Sequence, residues 1–237
     1  MTISHITFIS LVTLLAASIS GCVATPQKRT LSSEIPMYGG ENRQAIPEIK
    51  AIDDALIEGT TKEFGSREAA SERFVTQGFR YYFQDDLSTA MKRFNQGWLL
   101  NPNNPNVFHG FAAVLNDQQK HCESRKMIER ALELGLSKEA GNLADAGRVN
   151  ALCAMLDKSL NQETKSSYIK RSYNLYVDAL KASPNSAYVY GSWATAVYWK
   201  GDYVTAWKYV KKQRALGGKP GSQFLQLLSE KMPEPRD

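Results

Sequence analysis

The stretch SERFVTQGFRYYFQDDLSTAMKRFNQGWLLNPNN, residues 71–104, holds two apolar runs at helical spacing, parted by the polar residues Gln84, Asp85 and Asp86. Counted from Ser71 as position 1, small residues stand at 8, 20 and 27 (Gly78, Ala90, Gly97). Large ones stand at 4, 11 and 24 (Phe74, Tyr81, Phe94), and Pro102 follows at 32. Two antiparallel helices approach closely only where their facing side chains are small, the large residues fill what gap remains, and a proline stops the second helix. Asp85-Asp86 lies at the turn, where a carboxylate can accept the free amides of the second helix; capping accounts for the pair without acid catalysis.

The same pattern returns after 34 residues. Residues 105–138 carry Phe108, Phe111, Ala112, Leu115, Ser124, Ile128 and Ala131 at positions 4, 7, 8, 11, 20, 24 and 27. Residues 187–220 carry Tyr190, Trp193, Ala194, Val197, Ala206 and Val210 at 4, 7, 8, 11, 20 and 24, with Gly201-Asp202-Tyr203 at the turn. This period and these positions closely resemble the tetratricopeptide repeat, a helix-turn-helix unit that stacks into arrays. The resemblance implies an all-α protein, a right-handed superhelical array of helical hairpins with flanking helices.

Between the second and last units lie residues 139–186, 48 in number and fourteen beyond one period. Their second half fits the pattern, with Ser172, Tyr176, Ala179 and Pro184 at 20, 24, 27 and 32. The first half is irregular, and a lengthened first helix over 142–158 with a polar loop over 160–165 absorbs the excess. A divergent helical pair outside the family is the alternative. An array leaves an apolar face bare at each end, and two segments with helical apolar spacing can cover them, PEIKAIDDALI (47–57) and SQFLQLLSEKM (222–232). The expected organisation is a flanking helix within 46–65, repeats over 66–220 (71–104, 105–138, irregular 139–186, 187–220), and a capping helix and tail over 221–237.

Ahead of the array, residues 6–17 (ITFISLVTLLAA) form a charge-free apolar run followed by small residues and Cys22, the arrangement of an export signal. The run is short of the ~20 apolar residues that span a bilayer. Ile19-Ser20-Gly21-Cys22 resembles the lipobox of bacterial lipoproteins, in which the cysteine receives a diacylglyceryl group and becomes the new N-terminus. Residues 1–5 depart from that pattern, holding no Lys or Arg and only His5. An ordinary secretory leader and a membrane anchor are the other readings. The resemblance implies a signal peptide over 1–21, lipidation of Cys22 and, since Val23 and not Asp follows it, sorting to the outer membrane of a Gram-negative cell, facing the periplasm. Residues 23–45 are polar, rich in Pro, Gly and Ser and without periodicity, so 22–45 reads as a lipidated N-terminus and flexible tether, ~25 Å long as a coil and ~80 Å stretched.

Composition fits a folded body: 43% hydrophobic, 22% charged, net charge +5. The basic residues are dispersed, with a local run only at Lys208, Lys211, Lys212 and Arg214, unlike the basic stripe of a nucleic-acid binder. With His5 in the leader, His109 and His121 are the remaining histidines, and no cluster has metal-ligand spacing. Phosphate loops and nucleophile elbows are missing, and adjacent His121-Cys122 does not make a base-activated thiol. Neither enzyme activity, a metal nor a cofactor is expected.

In tetratricopeptide arrays, positions 2, 5, 9 and 12 of each first helix line the concave face. Transferred to this chain, that resemblance implies a partner groove containing Val75, Phe79, Tyr82, His109, Asn116, Tyr188, Thr195 and Tyr198, with Leu143, Gly147 and Asn150 from the irregular unit. Glu72, Asn106, Ala113 and Gly191 fall at the same positions; neutral and aromatic residues dominate the groove, the basic residues that clamp a peptide carboxylate are missing, and its aromatics can serve either as ligand platform or as packing. Cys122, near the start of one second helix, and Cys153, late in the next first helix, share an edge of the array, so an oxidising compartment would permit a disulfide; two buried thiols are the alternative. The expected function is a membrane-anchored periplasmic scaffold or adaptor for protein or peptide partners, in envelope-biogenesis, secretion or pilus machinery, with self-association left open. The alternative is a solute- or glycan-binding lipoprotein using the aromatic groove.

Overall fold

The computed structural model describes residues 31–236, and Cys22 with the rest of the leader lies outside them. Among the described residues are ten α-helices and three short 3₁₀ turns. Four successive hairpins form the body: α2 (Arg67–Tyr82) with α3 (Leu87–Leu100), α4 (Pro105–Asp117) with α5 (His121–Glu133), α6 (Ala140–Leu156) with α7 (Gln162–Ala182), and α8 (Ala187–Trp199) with α9 (Tyr203–Ala215). Each first helix also packs on a neighbouring hairpin, through α2 on α4, α5 on α6 and α6 on α8.

Local sequence sets the hairpin ends. Position 15 of three units, occupied by Asp85, Gln119 and Gly201, has a positive φ of 61°, 61° and 85°. The following amide reaches back to the same carbonyl in each unit: Asp86 to Tyr81, Lys120 to Leu115 and Asp202 to Val197, at 2.9–3.1 Å. This is the left-handed cap that satisfies the last carbonyls of a helix. The next helix is then capped by Asp86 (accepting from Thr89 N, 2.9 Å) and Asp202 (from Thr205 N, 3.1 Å).

The core is built on large side chains seated against glycine. The Phe94 ring of α3 occupies the space beside Gly78 of α2 and Gly110 of α4: a methyl added at either would lie 2.5 or 2.2 Å from the ring. In the third unit Tyr176 stands against Gly147 in the same way, and its hydroxyl meets Ser192 at 3.0 Å. Several buried polar groups are paired across the helices, which offsets the cost of their burial. Ser71 donates to Gly97 O (2.8 Å) and Ser124 to Ala112 O (2.7 Å). Asn150 accepts from Arg125 (2.9 Å) and donates to Glu129 (2.9 Å), which also receives Arg171, so that α5, α6 and α7 are joined.

The irregular unit differs from expectation. Both of its helices are lengthened, α6 to 17 residues and α7 to 21, and the connection is only residues 157–161. Asn161 caps α7 by accepting from Thr164 N at 2.8 Å, so the polar residues 162–165 form the first helical turn and not a loop.

The N-terminal segment is a second correction. Residues 31–45, expected as part of a flexible tether, are folded onto the array, 32–40 against α3 and 43–45 against the helix that follows. Fully buried Asn95 accepts from Tyr38 N (3.2 Å) and donates to Ser33 O (2.9 Å) and Ile35 O (2.8 Å). Tyr38 is buried beside Trp98, the Arg43 guanidinium stacks on its ring at 3.9 Å, and Arg43 makes a two-pronged bond to buried Asp53 of α1 (Pro47–Phe64). Composition alone hides this strap because its lock is three backbone contacts to one asparagine. α1 lays Leu56, Ile57 and Phe64 over Phe74 and Leu100 at one end of the array. At the other, α10 (Ser222–Lys231) covers Tyr198 and Trp207 with Leu228 and Phe224.

Cys122 and Cys153 form a disulfide between α5 and α6, with Cα atoms 4.7 Å apart and a sequence separation of 31. Closing a loop of that length should stabilise the fold by roughly 3 to 4 kcal/mol in the chain-entropy treatment. Reduction, or Cys122→Ser with Cys153→Ser, is therefore expected to lower the urea midpoint by that equivalent; an unchanged midpoint would show that the crosslink restrains nothing. Glycine substitutions should separate just as clearly. Gly110→Ala, with no room beside Phe94, is expected to cost about 2–3 kcal/mol, whereas Gly59→Ala on open α1 should gain up to ~1 kcal/mol, both read by thermal unfolding.

Candidate functional site

The first helices α2, α4, α6 and α8 share one face, where they enclose a cavity of about 370 Å³. Five of the expected groove residues line it: Phe79 and Tyr82 from α2, His109 and Asn116 from α4, and Tyr188 from α8. The other three do not. Val75 is buried in the core between hairpins. Tyr198 packs edge-on against Phe224 of α10, 5.7 Å between rings, because the capping helix covers that part of the last unit. Thr195 stands outside the cavity and turns its hydroxyl to Gly191 O at 3.3 Å.

On α6 the facing residues are Gly141, Asn142, Asp145, Arg148 and Val149. Leu143 and Asn150 are instead buried, and Gly147 faces Tyr176, so the irregular unit presents a different stripe from the one transferred from the repeat pattern. A signal existed: Asp145 and Arg148 are the only charged residues of α6, spaced three apart in an otherwise neutral helix. Phe83, just past α2, was also missed; it is 80% exposed at the cavity mouth.

Asp145 is the polar centre. Its Oδ2 lies 3.2 Å from His109 Nε2, while Oδ1 accepts from Arg148 (3.0 Å) and from the Tyr188 hydroxyl. Burial alone would raise its pKa, but the His109 hydrogen bond, the Arg148 charge and the Tyr188 hydrogen bond outweigh it and hold the carboxyl below its usual range. Arg148 is kept charged by the same pairing, against the effect of burial. Tyr188 is pushed up by burial and by the Asp145 charge, and Tyr82 by burial and a hydrogen bond to Asp117, so both hydroxyls stay protonated. Phe79 is the hub of the aromatic wall, with ring centroids 5.1 Å from Phe94, 5.5 Å from His109 and 6.4 Å from Tyr82. The arrangement offers fixed aromatic faces around a neutralised ion pair, which suits binding; no nucleophile stands beside a base in it. Among the described residues no group of three or more His, Cys, Asp or Glu is placed to hold a metal, and no helix is long and apolar enough to cross a membrane.

No protein-family model matches the chain, and no curated protein matches it. Among solved structures it is similar to a thermophilic tetratricopeptide protein of Thermus thermophilus, at 14% identity and a TM-score of 0.55, over 68% of this chain and 80% of that one. The likeness is one of fold: an all-α array of tetratricopeptide type.

Asp145→Asn tests the polar centre, since it keeps the shape and strands the Arg148 charge. A loss of ~1–3 kcal/mol is expected at neutral pH, between the values for exposed and buried pairs. Because the folded-state pKa of Asp145 is depressed, its contribution is present above the unfolded carboxylate pKa and fades as pH falls through the folded value, so wild type and variant should converge below about pH 4. Equal stability at neutral pH would remove Asp145 from that role.

Proposed function

We propose that this tetratricopeptide-type array is a lipoprotein, exported and held at the outer membrane through acylated Cys22, and that it serves in the periplasm as a scaffold binding protein partners on the face of α2, α4, α6 and α8. The observation that carries the binding reading is the aromatic cluster on that face, with Phe83 at 80% exposure beside Tyr82 and Phe79. Large rigid rings lose little entropy on docking and dominate interface energies. Arrays of this fold are mostly interaction modules, which supports a scaffold over an enzyme.

Export and anchoring rest on the leader grammar of residues 6–22 and are supported by the Cys122–Cys153 disulfide, which suits an oxidising compartment. With residues 31–45 docked on α3 and α1, only residues 23–30 separate Cys22 from residue 31, a reach of at most ~30 Å. An anchored array would thus work close to the headgroups.

Radiolabelled palmitate should enter the wild type, and Cys22→Ala should abolish labelling and release the protein into the soluble fraction; a variant that stays in the membrane places the anchor elsewhere. Capture from solubilised envelopes should then yield a stoichiometric protein partner. Phe83→Ala and Tyr82→Ala should each weaken that partner by ~2 kcal/mol with thermal stability unchanged for Phe83→Ala, and full affinity in both would exclude this face.

A further inference from the structure

We infer that the cavity between α2, α4, α6 and α8 is a binding site for an uncharged, N-acylated sugar ring, an activity separate from protein scaffolding. Its volume of about 370 Å³ falls at the small end of the ~300–1,000 Å³ range of small-molecule sites. The inference rests on the cavity itself and not on the identity of any protein partner.

Charge narrows the ligand class. Asp145 and Arg148 are the only lining residues of fixed charge, and they are in direct contact at 3.0 Å. A carboxylate or phosphate bound by Arg148 would stand within a few ångströms of the Asp145 carboxylate, and a cation bound by Asp145 would stand as close to the guanidinium. Like charges at that range disfavour both. A neutral ligand rich in hydrogen-bonding groups meets no such cost.

The lining fits the two faces of such a ligand. Phe79, Tyr82, Phe83 and Tyr188 supply flat apolar surfaces for the C–H face of a pyranose. Arg148 gives one N–H to Asp145, and its guanidinium, on a side chain still 29% exposed, lines the cavity, a donor for a carbonyl oxygen. Asn142 spends its amide N–H on Ser137 O (3.1 Å), which leaves its amide oxygen to accept an N–H. Ala113 and Val149 add small apolar wall beside them. One carbonyl acceptor, one N–H donor and a methyl are the parts of an acetamido group.

The test is titration of the full chain, in detergent micelles, with N,N′-diacetylchitobiose and with cellobiose, which lacks the acetamido groups, followed by calorimetry and ligand-observed NMR. Diacetylchitobiose should bind with a Kd on the order of 1 mM or tighter, and cellobiose at least about tenfold more weakly. Ala113→Leu, which fills the cavity and leaves the ion pair alone, should abolish binding without lowering the melting temperature, and Asn142→Ala should weaken it several-fold. No binding up to about 10 mM, equal binding of the two sugars, or binding that survives Ala113→Leu each overturns the assignment. So does a protein partner whose capture is lost in Ala113→Leu while the sugars remain silent, since the cavity would then belong to the protein interface.

Discussion

Phe94 is held between two glycines, Gly78 on its own hairpin and Gly110 on the next, with no space for a further methyl on either side. A side chain in that position sets two distances at once: how closely α2 approaches α3 within the unit, and how closely α4 approaches both from the next. Interiors packed to crystal-like density transmit such constraints and do not absorb them. Phe79 rests on the outer edge of the same ring and carries the aromatic wall of the cavity, so the geometry of the site follows from the core beneath it. Tyr176 against Gly147 repeats the arrangement in the third unit, with a hydroxyl that reaches Ser192 of the fourth.

Around this apolar spine the hairpins are joined by directional contacts. Asn150 with Arg125, Glu129 and Arg171 joins three helices, and the disulfide pins α5 to α6. A solenoid unit touches only its neighbours, so stability depends on each interface in turn. The longest unit, with the largest departure from the repeat, is also the one with the densest polar and covalent ties to the unit before it. The two ends are closed by different means. α10 covers the last hairpin with apolar side chains, whereas the first hairpin receives α1 and the strap locked by Asn95.

The cavity combines several features on one face. Four first helices contribute to it, yet its only fixed charges cancel within 3.0 Å, and its tyrosine hydroxyls are kept protonated by burial and nearby carboxylates. Such a surface has little long-range field and discriminates by shape and hydrogen-bond pattern. Phe83 extends it outward into solvent, which allows one face to meet a broad protein surface at its rim and a small ligand at its floor.

The hairpins and their order were legible in the sequence because they rest on local chemistry: small and large residues at fixed positions of a 34-residue period, with Asp85-Asp86 and Gly201-Asp202-Tyr203 at the turns of two regular units. Five groove residues, Phe79, Tyr82, His109, Asn116 and Tyr188, could be named for the same reason, since they sit on regular first helices. What the period could not reach was decided by contacts between distant segments. Val75 and Tyr198 obey the groove register, yet a neighbouring hairpin buries one and α10 buries the other. Asp145 and Arg148 lie in a helix whose register is set by Gly147 meeting Tyr176 and not by the repeat. The strap over 31–45 reads as linker, because its fold is held by backbone groups bonding to Asn95, and backbone groups leave no mark in composition. Periodicity records what a residue does along its own helix. Only tertiary packing determines which neighbour covers it.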